Sequence, residues 1–84
     1  MKAGQIEGDG VCLVGRDIRP GTYRSEGPQG YPVASCNRAR LSGTSGEAKD
    51  LISANASMGA ETVTIAATDK VFRTSGCQTW KLSD

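Results

Sequence analysis

Hydrophobic and polar residues alternate over several short stretches of this sequence, a pattern that predicts β-strands with one buried face. The clearest stretch is Glu61–Ala66, in which Val63 and Ile65 share one face and two threonines occupy the other. A continuous apolar run, Val11–Val14, is compatible with a strand that is buried on both faces. Further strands are predicted at residues 22–24, 36–41, 71–74 and 79–82, separated by the glycines and prolines that favour turns.

The stretch from Glu47 to Met58 supports two interpretations. Its apolar and small residues lie at helical spacing: Ala48, Leu51, Ile52, Asn55 and Met58. Periodicity alone therefore favours a short helix, with Ser45 as an N-cap. The adjacent pair Leu51 and Ile52 could equally belong to a strand.

The composition describes one small domain. The chain has 84 residues, of which 37% are hydrophobic, so its core is near the lower limit for a self-sufficient fold. Ten lysines and arginines balance nine acidic residues, which leaves a net charge of +1 and no basic field that would attract nucleic acid. The longest apolar run has four residues, so we expect no membrane-spanning segment and no membrane partner.

Residues 1–10 are predicted to form an N-terminal arm, and residues 11–84 a single β domain. The first ten residues are polar and include three glycines, which leave the arm flexible until it docks. They lack the apolar core of a secretory signal, so no export signal is expected in the chain as written. We expect the arm, with Gln5 and Ile6, to contact another subunit by adding to a strand edge there.

Three cysteines bear on the chemistry of the chain. Cys12, Cys36 and Cys77 are far apart and the sequence has no histidine, so neither a zinc site nor a cysteine nucleophile with its base is expected. A disulfide between two of the three is one interpretation, and three reduced, buried thiols are the other. The acidic residues are scattered and no phosphate-binding loop is present. We therefore predict no metal, no cofactor and no enzymatic activity.

Two arginines form the main candidate contact surface. Alternation along residues 36–41 directs Ala39 and Leu41 toward the core and places Arg38 and Arg40 on the opposite face. Such arginines could bind an anionic polymer or an acidic protein surface. The alternative is an ordinary exposed face that neighbouring carboxylates neutralise. Tyr31, in a loop rich in glycine and proline, is a further candidate contact residue.

The order of several motifs resembles a known group of small domains. Residues 13–25, LVGRDIRPGTYRS, are similar to the VGxDIxPGTYRS opening of domains found in exported proteins and lipoproteins of actinobacteria and in their phages. The resemblance continues through Cys36 with ARLSG at 39–43, ISAN at 52–55, VTI at 63–65, DKxF at 69–72 and GCxxW at 76–80. It implies a compact all-β domain, a strand around residues 52–55, a disulfide between Cys36 and Cys77, and no catalytic activity.

The fold prediction follows from these two lines of argument. We expect a small single-domain β-sandwich or flattened barrel that one disulfide staples, with Cys12 as a buried thiol outside the bridge. Closing a loop of this length stabilises a small fold by roughly 4 kcal/mol. The predicted core consists of Val11, Leu13, Tyr23, Leu41, Ile52, Val63, Ile65, Phe72 and Trp80.

Two functional classes fit this prediction. The first is a phage virion protein that decorates the surface of the capsid or tail, with other virion proteins as partners and with self-association as a further option. The second is an exported actinobacterial module that is secreted or binds the cell surface or wall. Both are non-enzymatic binding roles, and in both a partner surface adds to a small core.

Overall fold

The structure, a computed structural model, describes residues 4–30, 35–44 and 48–83. These residues form two four-stranded antiparallel sheets that pack face to face. In chain order the strands are β1 (Gln5–Ile6), β2 (Gly10–Leu13), β3 (Gly21–Ser25), β4 (Cys36–Leu41), β5 (Leu51–Ser57), β6 (Glu61–Ile65), β7 (Val71–Ser75) and β8 (Trp80–Leu82). Sheet A has the order β1-β8-β3-β6 and sheet B the order β2-β7-β4-β5. The predicted all-β sandwich is confirmed.

The main core lies between the two sheets. Its buried residues come from both of them: Ile6, Cys12, Ile18, Tyr23, Cys36, Val63, Ile65, Phe72, Cys77 and Trp80. The rings of Phe72 and Trp80 meet edge to face, with centroids 5.6 Å apart. The indole nitrogen of Trp80 donates a hydrogen bond of 3.0 Å to the hydroxyl of Thr74, so its only polar atom is satisfied inside the sandwich.

Most of the predicted core is buried, and two positions are corrections. Val11 is 60% exposed and Ile52 is 43% exposed. Both lie on the edge strands of sheet B, where only one side of the strand has a neighbour. The apolar run at Val11–Val14 is therefore not buried on both faces. Leu13 is half-buried, whereas the other six predicted core residues are buried.

The ambiguous segment at residues 47–58 contains a strand and not the helix that periodicity favours. A short 3-10 turn at Ala48–Asp50 leads into β5. The pairing of β4 with β5 shifts by one residue, since Leu41 lies opposite Leu51 while Arg40 lies opposite Ser53. This β-bulge accommodates one extra residue, and it breaks the simple alternation by which a strand is recognised in sequence.

The disulfide between Cys36 and Cys77 is confirmed. It joins β4 to the segment that follows β7, with the two Cα atoms 4.5 Å apart and 41 residues apart in sequence. Cys12 is buried on β2 and lies outside the bridge, as predicted. Burial raises the pKa of its thiol, and the negative charges of Asp17 and Glu7 raise it further.

The described part of the N-terminal segment belongs to the sandwich and is not a separate arm. Ile6 is fully buried, and β1 pairs with β8 in sheet A. Gly8 packs so closely on the disulfide segment that a Cβ atom there would lie 1.5 Å from the carbonyl oxygen of Cys77. The carboxylate of Asp9 accepts hydrogen bonds from the amide of Gly76, at 2.7 Å, and from the side chain of Gln29. These two donors lower the pKa of Asp9, the amide having the larger effect.

Candidate binding surface

Arg38 lies on the inner face of sheet B and bridges the two sheets. Its Nε donates a 2.8 Å hydrogen bond to Glu61 of β6, and its Nη1 donates to the hydroxyl of Ser53 at 3.3 Å. Asn55 donates to the same Oε1 atom of Glu61 at 2.8 Å. Only 14% of the Arg38 side chain is exposed, so this arginine holds the sandwich together at the side where β5 and β6 are the edges.

Arg40 is also engaged within the fold. Its guanidinium forms a two-point ion pair with Asp69, with an Nε to Oδ2 distance of 2.6 Å and an Nη2 to Oδ1 distance of 3.0 Å. Asp69 also accepts a hydrogen bond from the amide of Ala66, and so fixes the turn between β6 and β7. The hydrogen bonds to Asp69 raise the pKa of Arg40.

These contacts correct the interpretation of β4. Alternation along the strand is present as predicted, but the face that carries the two arginines is the inner one. Ala39 and Leu41 are buried on the outer face, where they form a second, smaller cluster with Val71. Neighbouring carboxylates neutralise Arg38 and Arg40, so the structure leaves neither guanidinium as an exposed contact group.

The outer face of sheet B is apolar across all four strands. A row of Ser75, Asn37 and Ala56 at one end of this face is mainly polar. The other side chains lie in two adjacent rows, one of Leu13, Val71, Leu41 and Leu51, the other of Val11, Arg73, Ala39 and Ala54. We call these eight residues the outer face of sheet B. Antiparallel sheets in sandwiches usually direct polar side chains outward. Here seven of the eight positions are apolar.

Arg73 is the single charged member of this face. It is exposed, its cross-strand neighbours are Val11 and Ala39, and no described carboxylate lies within ion-pair distance of it. Two shallow depressions meet at its side chain. One, of about 210 Å³, is lined by three residues of the first row, by Val11 and by the loop that follows β4. The other, of about 440 Å³, is lined by Asn37, Ser75 and residues of β4 and β5.

The outer face of sheet A is polar and contrasts with this surface. The hydroxyls of Thr22 and Thr64 hydrogen bond across β3 and β6 at 3.2 Å, and Arg24 forms an exposed pair with Glu26 at 3.5 Å. A groove of about 770 Å³ runs along this side, and its lining includes acidic, basic and amide side chains. The outer face of sheet B is therefore the distinctive surface of the described chain.

The remaining candidate residues are not brought together. Gln5 is half-buried in β1 and Ile6 is in the core, on sheet A. Tyr31 lies outside the described residues. Within residues 4–30, 35–44 and 48–83, no group of three or more potential ligands could hold a metal ion. No helix in that part of the chain is long and apolar enough to cross a membrane.

The alternation in the sequence does not identify Arg73 as the centre of a surface, because it directs the apolar residues of β4, Ala39 and Leu41, toward the main core. A signal was present in the sequence. Cys36, Arg38 and Arg40 share one face of the strand. Once the resemblance pairs Cys36 with Cys77, that face is expected between the sheets, which directs Ala39 and Leu41 outward and next to their partners on β7.

Comparison with known proteins identifies the class as a small extracellular domain. A family model described as the Rv1352-like extracellular domain matches residues 4–81. Uncharacterized proteins of Mycobacterium tuberculosis and Mycobacterium bovis are 36% identical over 85 residues, covering 90% of this chain and 69% of each relative. No solved structure matches. The chain belongs to the Rv1352-like extracellular domain family.

Membership in this family tests the predicted resemblance and the predicted location of the protein. It confirms the resemblance to small exported domains of actinobacteria, and it supports the secreted or cell-surface location. A disulfide in a small domain fits the same setting, since such bridges persist in oxidising compartments. The comparisons give no support to a phage origin or to a place on a virion surface.

Proposed function

We propose that this chain is a non-enzymatic binding module of an exported, cell-surface protein, and that a protein partner docks on the outer face of sheet B. One observation carries the proposal: the exposed apolar residues Val11, Leu51 and Ala54 share one face, over buried Ala39, Leu41 and Val71, with an exposed arginine that no described carboxylate pairs with. Apolar residues that cluster on an exposed surface often mark an interaction site.

The arrangement of this surface resembles the centre of a protein interface. Interface centres are depleted in charged groups, and arginine is among the residues that contribute most to binding there. The Arg38–Glu61 and Arg40–Asp69 pairs, by contrast, commit their charges to the interior of the sandwich. Arg73 is the cation that remains available on sheet B.

The charge of the surface defines the chemistry of the partner. The outer face of sheet B carries Arg73 and no acidic residue. Two copies docked through this face would bury two cations with no anion from the face itself, which is unfavourable. The complementary partner therefore presents an apolar surface that contains a carboxylate, which would form a charge-assisted pair with Arg73.

A sedimentation assay with purified actinobacterial cell envelopes tests this function. We expect saturable binding of the wild-type domain, strong loss of binding in Arg73→Glu, and partial retention in Arg73→Lys. Lys81→Glu makes the same change of charge at an exposed residue of sheet A and serves as the matched control. Equal binding of Arg73→Glu and wild type would place the docking surface elsewhere.

A further inference from the structure

Strand β5 is the longest open edge of the described sandwich. The edge strands are β1 and β6 in sheet A and β2 and β5 in sheet B. β5 has seven residues, whereas β1 has two, β2 has four and β6 has five. Its sequence, LISANAS, contains no charged residue and no proline. Natural edge strands are usually protected by lysine, proline, short length or a β-bulge; β5 has only the bulge, which lies at its start between Leu51 and Ser53.

Exposed hydrophobic residues are concentrated along the same strand. Of the four large hydrophobic side chains that are exposed in the described residues, Leu51 and Ile52 lie at the start of β5 and Met58 directly follows its end. Met58 is 85% exposed. The edge therefore presents unpaired backbone groups along its length and apolar side chains at both ends.

We propose that β5 pairs with β5 of a second copy in an antiparallel ladder centred on Ala54. In this register Ala54 lies opposite its own copy, Ile52 lies opposite Ala56, and Leu51 lies opposite Ser57. Met58 of each copy then lies opposite Asp50 of the other and diagonal to its Ile52, on the same face of the ladder. The apolar start of one strand thus meets the apolar end of the other, and the two B sheets become one sheet of eight strands.

The features of β5 favour a second copy over an unrelated strand. Antiparallel self-pairing exchanges the two ends of the strand, which is the arrangement that matches its exposed residues. No charged side chain of β5 opposes its own copy, so the pairing meets no like-charge repulsion within the ladder. The small residues Ser53, Ala54, Asn55 and Ala56 at its centre allow close approach of two backbones.

The dimer has a consequence for the outer face of sheet B. A two-fold axis at Ala54 that is perpendicular to the sheet leaves both outer faces, and both Arg73 side chains, on the same side. The dimer would then bind a multivalent surface through two sites and gain avidity. This consequence rests on the proposed function, whereas the dimer itself does not.

Sedimentation velocity over a concentration series tests the dimer. We expect a monomer–dimer equilibrium for the wild type. The double variant Ile52→Glu/Met58→Glu changes exposed side chains and places acidic groups in the ladder and beside Asp50 of the other copy, so we expect it to weaken dimerisation by about tenfold or more. Val11→Glu, on the opposite edge of sheet B, is the matched control and should dimerise as the wild type does.

Cross-linking tests the register even if an acidic variant folds poorly. Ala54→Cys places two thiols across the axis, so a short bis-maleimide should link two copies efficiently, and it should link Val11→Cys far less. A wild type that stays monomeric over the whole series would overturn the proposal, as would equal cross-linking of the two cysteine variants. If Arg73→Glu loses envelope binding but still dimerises, docking depends on Arg73 and the dimer does not.

Discussion

Arg40 and Asp69 form a two-point ion pair in which the carboxylate is almost completely enclosed. The side chain of Asp69 is 1% exposed and that of Arg40 is 22% exposed. Asp69 lies in the turn that connects the two sheets, between β6 and β7, and Arg40 lies in the middle of sheet B. The pair therefore fixes the connection between sheets as well as balancing charge.

Asp69→Asn removes the charge of this carboxylate while keeping its shape. We expect the free energy of unfolding to fall by about 3 kcal/mol, because a largely buried guanidinium is left without its counter-charge. Urea denaturation followed by circular dichroism measures the change. Glu26→Gln breaks the exposed pair with Arg24 and should cost less than about 1 kcal/mol. Similar losses in the two variants would contradict the structural role of the buried pair.

The sequence predicted the strands better than it predicted their faces. Six strands were expected close to their observed positions, because alternation and turn residues are local signals. β1 was missed, since two residues carry no periodicity, and Gln5 and Ile6 were assigned to an arm. Whether Ile6 enters the core depends on its pairing with β8, more than seventy positions away in the chain.

The prediction of which face of β4 points into the sandwich was wrong for a related reason. Apolar residues are expected inside, and Ala39 and Leu41 met that rule more simply than two arginines did. Arg38 and Arg40 point inward because each pairs there with a carboxylate, Glu61 or Asp69. Both carboxylates come from a distant part of the chain. No local pattern contains that information. The one sequence signal is Cys36, which shares the face of the two arginines and whose bridge to Cys77 places that face between the sheets.

Gly8 is predicted to be essential for packing the N-terminal segment. Gly8→Ala would place a methyl group 1.5 Å from the carbonyl oxygen of Cys77, so the two backbones must separate. We expect a loss of about 1 to 3 kcal/mol in the free energy of unfolding. Gly59→Ala is the control, because nothing lies within 4 Å of a Cβ atom there. Thermal unfolding of the two variants side by side checks the difference.

The disulfide is predicted to supply a large part of the stability of the domain. Cys36→Ser/Cys77→Ser removes a bridge that spans 41 residues, and we expect a loss of roughly 4 kcal/mol through the greater freedom of the unfolded chain. Guanidinium unfolding of the wild type with and without reductant should give the same difference as the variant. A variant as stable as the oxidised wild type would show that the sandwich does not need its staple.

Cys12 is predicted to be an inert thiol in the folded protein. Burial raises its pKa above the ordinary 9.0, and access to the sulfur is restricted, so alkylation by iodoacetamide should be slower than in the unfolded chain by more than about tenfold. Mass spectrometry after timed labelling of native and urea-unfolded protein measures the two rates. Equal rates would contradict the buried position of Cys12 on β2.

The raised pKa of Cys12 makes the stability of the domain depend on pH in the alkaline range. Below pH 9.0 the thiol is protonated in both states, and its contribution to stability is fully present. As the pH rises above that value, the unfolded chain releases the proton while the folded chain retains it, so the free energy of unfolding decreases. Cys12→Ala should lack this component. The difference in the free energy of unfolding between the wild type and Cys12→Ala should therefore be constant below about pH 9 and change only above it. A difference that stays constant above pH 9 as well would mean that the thiol ionises equally in the folded and the unfolded protein.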